Sequence, residues 1–74
     1  MKLFYKGRDT WGDRPVYEDE NGRLWKDVDP RPHVQPRLCT ALNNSFDGEP
    51  DTPIDYIPRY KDEHIEFIPK RETW

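Results

Sequence analysis

Eight prolines restrict this chain of 74 residues more than any other feature of its sequence. They stand at positions 15, 30, 32, 36, 50, 53, 58 and 69. Proline lacks a backbone N–H and clashes with the preceding turn inside a helix. No stretch between the prolines keeps apolar residues at the spacing of a long amphipathic helix, so a β or irregular fold is predicted. Residues 29–37 contain three of the prolines, and we expect an extended connector there.

Aromatic residues must supply much of any core that this chain forms. Only 32% of its residues are hydrophobic and 36% are charged, a balance that leans toward disorder. The three Trp, four Tyr and three Phe residues argue for folding, because each aromatic side chain can bury roughly 150–250 Å². At this length we expect residues 1–74 to form a single domain with a thin core.

The strongest local signal is a β-hairpin within residues 15–28, where two strand-like runs flank Asp19-Glu20-Asn21-Gly22. Asp19 can begin a type I turn, with Gly22 in the positive-φ conformation of a G1 bulge. The alternative is a two-residue type I′ turn at Asn21-Gly22.

The two turns predict different cross-strand neighbours. The bulged turn places Tyr17 opposite Trp25 and Asp19 opposite Arg23, whereas the type I′ turn places Tyr17 opposite Lys26. Aromatic pairs and pairs of opposite charge each contribute roughly 0.2–1 kcal/mol across a sheet. Side-chain pairing therefore favours the bulged turn.

Shorter signals complete the predicted sheet. Residues 2–8 are typical of an edge strand, which could pair with a second copy of the chain. Residues 38–42 favour a buried strand over one helical turn, and residues 43–54 an ordered loop. Residues 54–60 and 65–68 suggest a second hairpin. The predicted fold class is mainly β: a small antiparallel sheet of three to five short strands, built from hairpins with long ordered loops.

Charge separates the two halves of the chain. Residues 1–40 carry eight Lys or Arg against seven Asp or Glu, and residues 41–74 carry four against eight, for a net charge of -3. General nucleic-acid binders need clustered positive charge, so this balance argues against that class. Single-stranded nucleic-acid binding remains a weaker alternative, which would use Arg8, Arg14, Arg23 and Lys26.

The single cysteine, Cys39, cannot form a disulfide within the chain, which is typical of a reducing compartment. The N-terminal residues become charged before any apolar run reaches the length of a signal peptide. No apolar run approaches the length of a membrane span. We therefore expect a cytoplasmic location and no membrane partner.

An acidic loop over residues 47–55 is the candidate metal site, with Asp47, Glu49 and Asp51 as its possible ligands. Gly48 follows the first acid directly, so the spacing does not match a calcium-binding hand loop. A structural or solvated loop is favoured, and we expect no cofactor. The alternative is a metal-binding or metal-dependent hydrolytic domain that uses this loop.

Catalytic patterns are missing from the sequence. Cys39, His33 and His64 lack the paired spacing of a zinc site. A Cys–His nucleophile pair would need a family signature that the sequence does not show. We therefore predict that the domain is not an enzyme.

Aromatic residues beside arginine give the predicted binding surface. Trp11 lies between Arg8 and Arg14, and Trp and Arg are enriched at the centres of protein interfaces. Packing of Trp11 in the core is an equal alternative. We predict a protein partner bound at Arg8, Trp11 and Arg14, or alternatively through the acidic loop.

Three segments carry a resemblance: residues 5–9, Asn21-Gly22 and residues 43–54. With them the chain resembles short uncharacterised proteins of Gram-positive bacteria and their mobile elements. The resemblance implies a bacterial or phage-derived accessory domain and assigns no functional residue. The hypothesis from the sequence is therefore a non-enzymatic accessory domain that binds another protein.

Overall fold

The computed structural model describes residues 1–10, 12–29, 31, 36–60 and 62–69. Its six strands are β1 (Lys2–Arg8), β2 (Pro15–Glu18), β3 (Leu24–Asp27), β4 (Leu38–Ala41), β5 (Pro50–Pro53) and β6 (Glu66–Ile68). In these residues the only helical segments are two 3₁₀ turns, Leu42–Asn44 and Ile54–Tyr56, and neither is long enough to cross a membrane. The mainly β prediction is confirmed, with six strands instead of three to five. Much of the predicted connector lies outside the described residues.

The six strands form one sheet in the order β5-β4-β3-β2-β1-β6. Neighbours from β5 to β1 are antiparallel, whereas β6 runs parallel to β1 and pairs with Lys2, Leu3 and Phe4. The prediction that residues 2–8 form an edge strand is therefore wrong, because β6 covers the first half of β1. Pairing of two chains along that part of β1 is correspondingly blocked.

The predicted hairpin joins β2 to β3 in the bulged register. Tyr17 pairs with Trp25, and the Gly22 N–H donates to the Asp19 carbonyl oxygen at 3.1 Å. Gly22 has a φ of 82°, which glycine adopts without the strain that a Cβ would bring. The Asp19 N–H donates to the Arg23 carbonyl oxygen at 2.9 Å and closes the turn.

The predicted second hairpin is wrong. Residues 54–56 form a 3₁₀ turn, and the last strand pairs with β1 instead of with the preceding segment. Ile54, Ile57 and Ile65 pack against the buried core, so this segment crosses one face of the sheet. Burial of these apolar side chains on the face of the sheet decides the path of the chain. Such burial depends on distant residues and cannot be predicted from neighbouring sequence positions.

Residues 43–54 also differ from the predicted loop, because they include the edge strand β5. A proline stands at each end of β5, as suits an edge strand. The Thr52 N–H donates to the Thr40 hydroxyl at 3.1 Å. A side-chain oxygen on β4 thus accepts this N–H in place of a backbone carbonyl oxygen.

Aromatic rings build the core, as the composition predicts. Tyr17, Trp25 and Phe67 are buried. The Tyr17 and Phe67 rings meet edge to face with centroids 4.9 Å apart, and Trp25 meets Tyr60 in the same way at 5.1 Å. Such edge-to-face contacts add roughly 0.5–1.5 kcal/mol each beyond the area that they bury.

Candidate functional site

The Asp19 carboxylate ties the hairpin turn to the core. Its Oδ1 accepts the N–H groups of Asn21 at 2.8 Å and Arg23 at 3.0 Å, and its Oδ2 accepts the Trp25 indole N–H at 3.0 Å. Burial disfavours the charged form, but the hydrogen bonds from Trp25, Arg23 and Asn21 outweigh it and lower the pKa of Asp19. The position of Arg23 is therefore fixed from inside the protein.

Arg59 is held over the same aromatic cluster from another part of the chain. Its guanidinium carbon lies 5.3 Å from the centroid of the Tyr60 ring, a cation–π contact. Tyr60 is buried against Trp25, whereas Arg59 is exposed. The aromatic cluster thus positions a cationic side chain at the protein surface.

A polar groove lies between the hairpin turn, the first 3₁₀ turn and Arg59, with a volume of 480 Å³. The residues that give it its chemistry are Arg23, Asn43, Asn44, Asp51 and Arg59. The Asn44 side chain joins two walls of this polar groove: its amide donates to the Gly22 carbonyl oxygen at 3.0 Å and its oxygen accepts the Leu24 N–H at 2.7 Å.

A second cavity has a volume of 670 Å³, and polar and apolar atoms contribute about equally to its lining. We call it the apolar cleft after its aliphatic residues. Its apolar lining comes mainly from Val28, Leu38, Cys39, Ile54, Tyr60 and Ile65. Arg37, Asp55, Glu63 and His64 add charged or titratable groups. This volume falls within the range of roughly 300–1,000 Å³ that ligand sites occupy in proteins.

Cys39 and His64 both line the apolar cleft. Residues of these two types could act as a nucleophile and its general base. Cys39 is 8% exposed, and burial raises the pKa of its thiol. A buried, protonated thiol is a poor nucleophile and a poor metal ligand. His33 lies outside the described residues.

The predicted partner surface is described only in part, because Trp11 lies outside the described residues. Arg8 is engaged locally: its guanidinium donates to the Asp13 carbonyl oxygen at 2.5 Å and lies 3.6 Å from the Asp13 carboxylate. The Arg14 guanidinium lies directly over Gly12. Binding at Arg8, Trp11 and Arg14 stays a prediction.

The acidic loop makes a structural contact instead of gathering its carboxylates. Asp47 Oδ1 accepts the Thr10 N–H at 3.1 Å and the Thr10 hydroxyl at 3.0 Å. Asp51 lines the polar groove. Across the described residues, which include Asp47, Glu49 and Asp51, no group of three or more His, Cys, Asp or Glu side chains could hold a metal ion.

A buried ion pair is the main feature that the sequence did not predict. Lys26 Nζ lies 2.6 Å from Asp9 Oδ2, with the two side chains 0% and 1% exposed, and also donates to the Phe46 carbonyl oxygen at 2.6 Å. Asp9 Oδ1 accepts the N–H groups of Gly12 at 3.0 Å and Arg14 at 3.2 Å. The placement of Lys26 on a surface for single-stranded nucleic acid is therefore wrong.

The Asp9 carboxylate makes the free energy of unfolding depend on pH in the acidic range. Burial alone would raise its pKa, but the hydrogen bonds from Lys26, Gly12 and Arg14 and the charge of Lys26 lower it from 3.8 to about 2. A lowered carboxyl pKa stabilises the folded state above pH 3.8, and this stabilisation is lost as the pH falls through the folded value.

We expect Asp9 to account for a loss of about 2 kcal/mol in unfolding free energy as the pH falls from 4 toward 2. Urea denaturation at a series of pH values measures the total change. Carboxyl NMR assigns the part due to Asp9, and a midpoint at or above 3.8 for this carboxyl would contradict the prediction.

Comparison of this chain with protein-family models, with curated proteins and with solved structures finds no match.

Proposed function

We propose that this domain binds a segment of another protein in the apolar cleft and does not catalyse a reaction. The observation that carries the proposal is the lining of the cleft, where aliphatic side chains such as Val28, Ile54 and Ile65 surround a volume of 670 Å³. The aliphatic part of such a pocket can accept an anchoring side chain from a partner, and such anchors carry most of the binding energy of an interface.

Charge indicates the sequence of the partner segment. Asp55, Glu63 and Arg37 line the apolar cleft. The Glu63 carboxylate lies 3.0 Å from the N-terminal amine, which leaves Asp55 as the acid of the cleft without an ion-pair partner among the described residues. Residues 41–74, which supply seven of the twelve lining residues, carry eight acidic against four basic residues. Complementary charge steers association and disfavours wrong partners. The partner segment therefore presents an apolar anchor flanked by Lys or Arg.

The chemistry of Cys39 supports a binding role over a catalytic one. It is the thiol in the apolar cleft, and its pKa is raised by burial instead of lowered as in thiolate enzymes. His64 lines the same cleft. The proposal assigns both side chains to the wall of a binding cleft.

Peptides selected by display against the purified domain test this proposal, with affinity measured by fluorescence polarisation. Val28 is 37% exposed in the cleft, and Leu42 is 45% exposed outside it. We expect Val28→Glu to weaken binding by about tenfold or more, since it places a charge against an apolar anchor. The matched control, Leu42→Glu, should bind like the parent protein.

The same assay separates the cleft from the surface predicted by the sequence. Peptides that lose affinity for Arg8→Ala and Arg14→Ala but not for Val28→Glu would place the site at that surface and overturn the proposal. Selection of peptides rich in Asp and Glu would overturn the charge argument. Asp55→Lys should weaken the binding of basic peptides while leaving the fold intact, because Asp55 is exposed.

A further inference from the structure

We infer that the polar groove binds an oxyanion, a phosphate or carboxylate group held between Arg23 and Arg59. This inference goes beyond the proposed function, because it concerns a different cavity that shares only Tyr60 with the apolar cleft. Guanidinium groups present their N–H donors as a planar fork that matches two oxygens of a phosphate or carboxylate.

The first observation is that both guanidinium groups are available. Among the residues that the structure describes, no carboxylate lies within 4.0 Å of Arg23 or Arg59. Arg8 and Arg31, in contrast, have carboxylate partners at 3.6 Å and 2.7 Å. The groove therefore presents cationic groups whose donors are not already taken by an acid in the part of the chain that the structure describes.

The second observation is that one buried network holds the Arg23 main chain and lies under the Arg59 guanidinium. The Asp19 carboxylate binds the Arg23 main chain at one end and the Trp25 indole at the other. Trp25 packs on Tyr60, and Tyr60 lies under the Arg59 guanidinium. Because the Arg59 guanidinium and the Arg23 main chain are held before binding, ordering them costs less conformational entropy when a ligand arrives.

The third observation is the polarity of the groove. It contains two arginines and one acid, Asp51, in a chain whose net charge is -3. Asn43 lines the groove in the left-handed conformation, with a φ of 56°, which Asn tolerates better than most residues. Its side-chain amide can donate to an oxyanion beside the two guanidinium groups.

The size of the groove indicates what carries the oxyanion. A volume of 480 Å³ exceeds the space that a bare phosphate or carboxylate ion fills. The groove therefore has room for an oxyanion carried on a larger molecule, with Asn43 and Asn44 forming a polar wall beside it.

NMR of the full chain, labelled with ¹⁵N, tests the inference. Inorganic phosphate and succinate are titrated separately at constant ionic strength, and the arginine Nε–H resonances are followed. We expect saturable shifts at Arg23 and Arg59, whereas Arg8 and Arg31, which already have carboxylate partners, should shift little. Tighter binding of phosphate would indicate a phosphorylated ligand, and tighter binding of succinate a carboxylate ligand.

Variants complete the test. Arg23→Gln and Arg59→Gln should each weaken binding by about tenfold, since each removes charge-assisted hydrogen bonds. Arg8→Gln is the matched control and should bind as the parent does. Because Arg23 and Arg59 are exposed, their replacement should leave the amide spectrum of the core unchanged. Equal shifts at all arginines, or no saturation at tens of millimolar anion, would overturn the inference.

Discussion

Replacing Lys26 by methionine is expected to lower the free energy of unfolding by about 3–5 kcal/mol, because it leaves the Asp9 carboxylate buried without a counter-charge. Lys26 is fully buried and lies 2.6 Å from Asp9 Oδ2. The substitution also removes the donor to the Phe46 carbonyl oxygen. Since domains are stable by about 5–15 kcal/mol, a loss of this size can, at the lower end of that range, leave the folded and unfolded states about equally populated.

Removing both charges should restore part of that loss. In the double variant Asp9→Asn/Lys26→Met, the remaining side-chain oxygen can still accept the N–H groups of Gly12 and Arg14. Replacement of a buried ion pair by neutral groups is often close to neutral in stability. The double variant should therefore be more stable than Lys26→Met alone.

Urea denaturation followed by circular dichroism measures these differences. Lys6→Met is the control, since Lys6 is exposed and lies 3.5 Å from Glu18 at the surface, and its effect should stay within about 0.5 kcal/mol. A double variant no more stable than Lys26→Met would show that the pair itself does not hold these segments together.

Replacing Asp19 by alanine is the second large effect, with an expected loss of about 2–4 kcal/mol, because at least two N–H donors lose their acceptor near the core. Asp19 is 4% exposed and accepts from Asn21, Arg23 and Trp25. Asp19→Asn keeps one side-chain oxygen and should lose less. Thermal unfolding provides the measurement.

Asp62→Ala serves as the control for Asp19, because Asp62 is exposed. Its effect should stay within about 0.5 kcal/mol. If Asp19→Ala were as stable as this control, the hydrogen bonds of the Asp19 carboxylate would contribute little, and the buried network that positions Arg23 and Arg59 would lose its central member.

Local signals explain the part of the fold that the sequence predicts. The hairpin between β2 and β3 depends on neighbours in the sequence, because turn chemistry at Asp19 and Gly22 sets its register. The aliphatic patch at residues 38–42 favours a buried strand, and the structure places β4 at Leu38–Ala41, with Leu42 beginning the first 3₁₀ turn.

Long-range contacts explain what the sequence did not predict. Three antiparallel strands bring Val16, Lys26 and Cys39 into one row, and Lys26 becomes buried only when residues 9 and 46 fold against that row. The polar groove likewise forms only when the segment with Arg59 and Tyr60 folds back against the hairpin. The residue pattern within one segment gives no information about contacts between segments that are distant in the sequence.

The parallel pairing of β1 with β6 has a kinetic consequence. Lys2 and Glu66 come together from distant parts of the chain, and the Phe67 ring completes the cluster around Tyr17. Contacts so far apart raise the contact order, and the entropy of closing the loop must be overcome before they stabilise the fold. During synthesis, β1 therefore cannot pair with β6 until residues 66–68 have emerged from the ribosome.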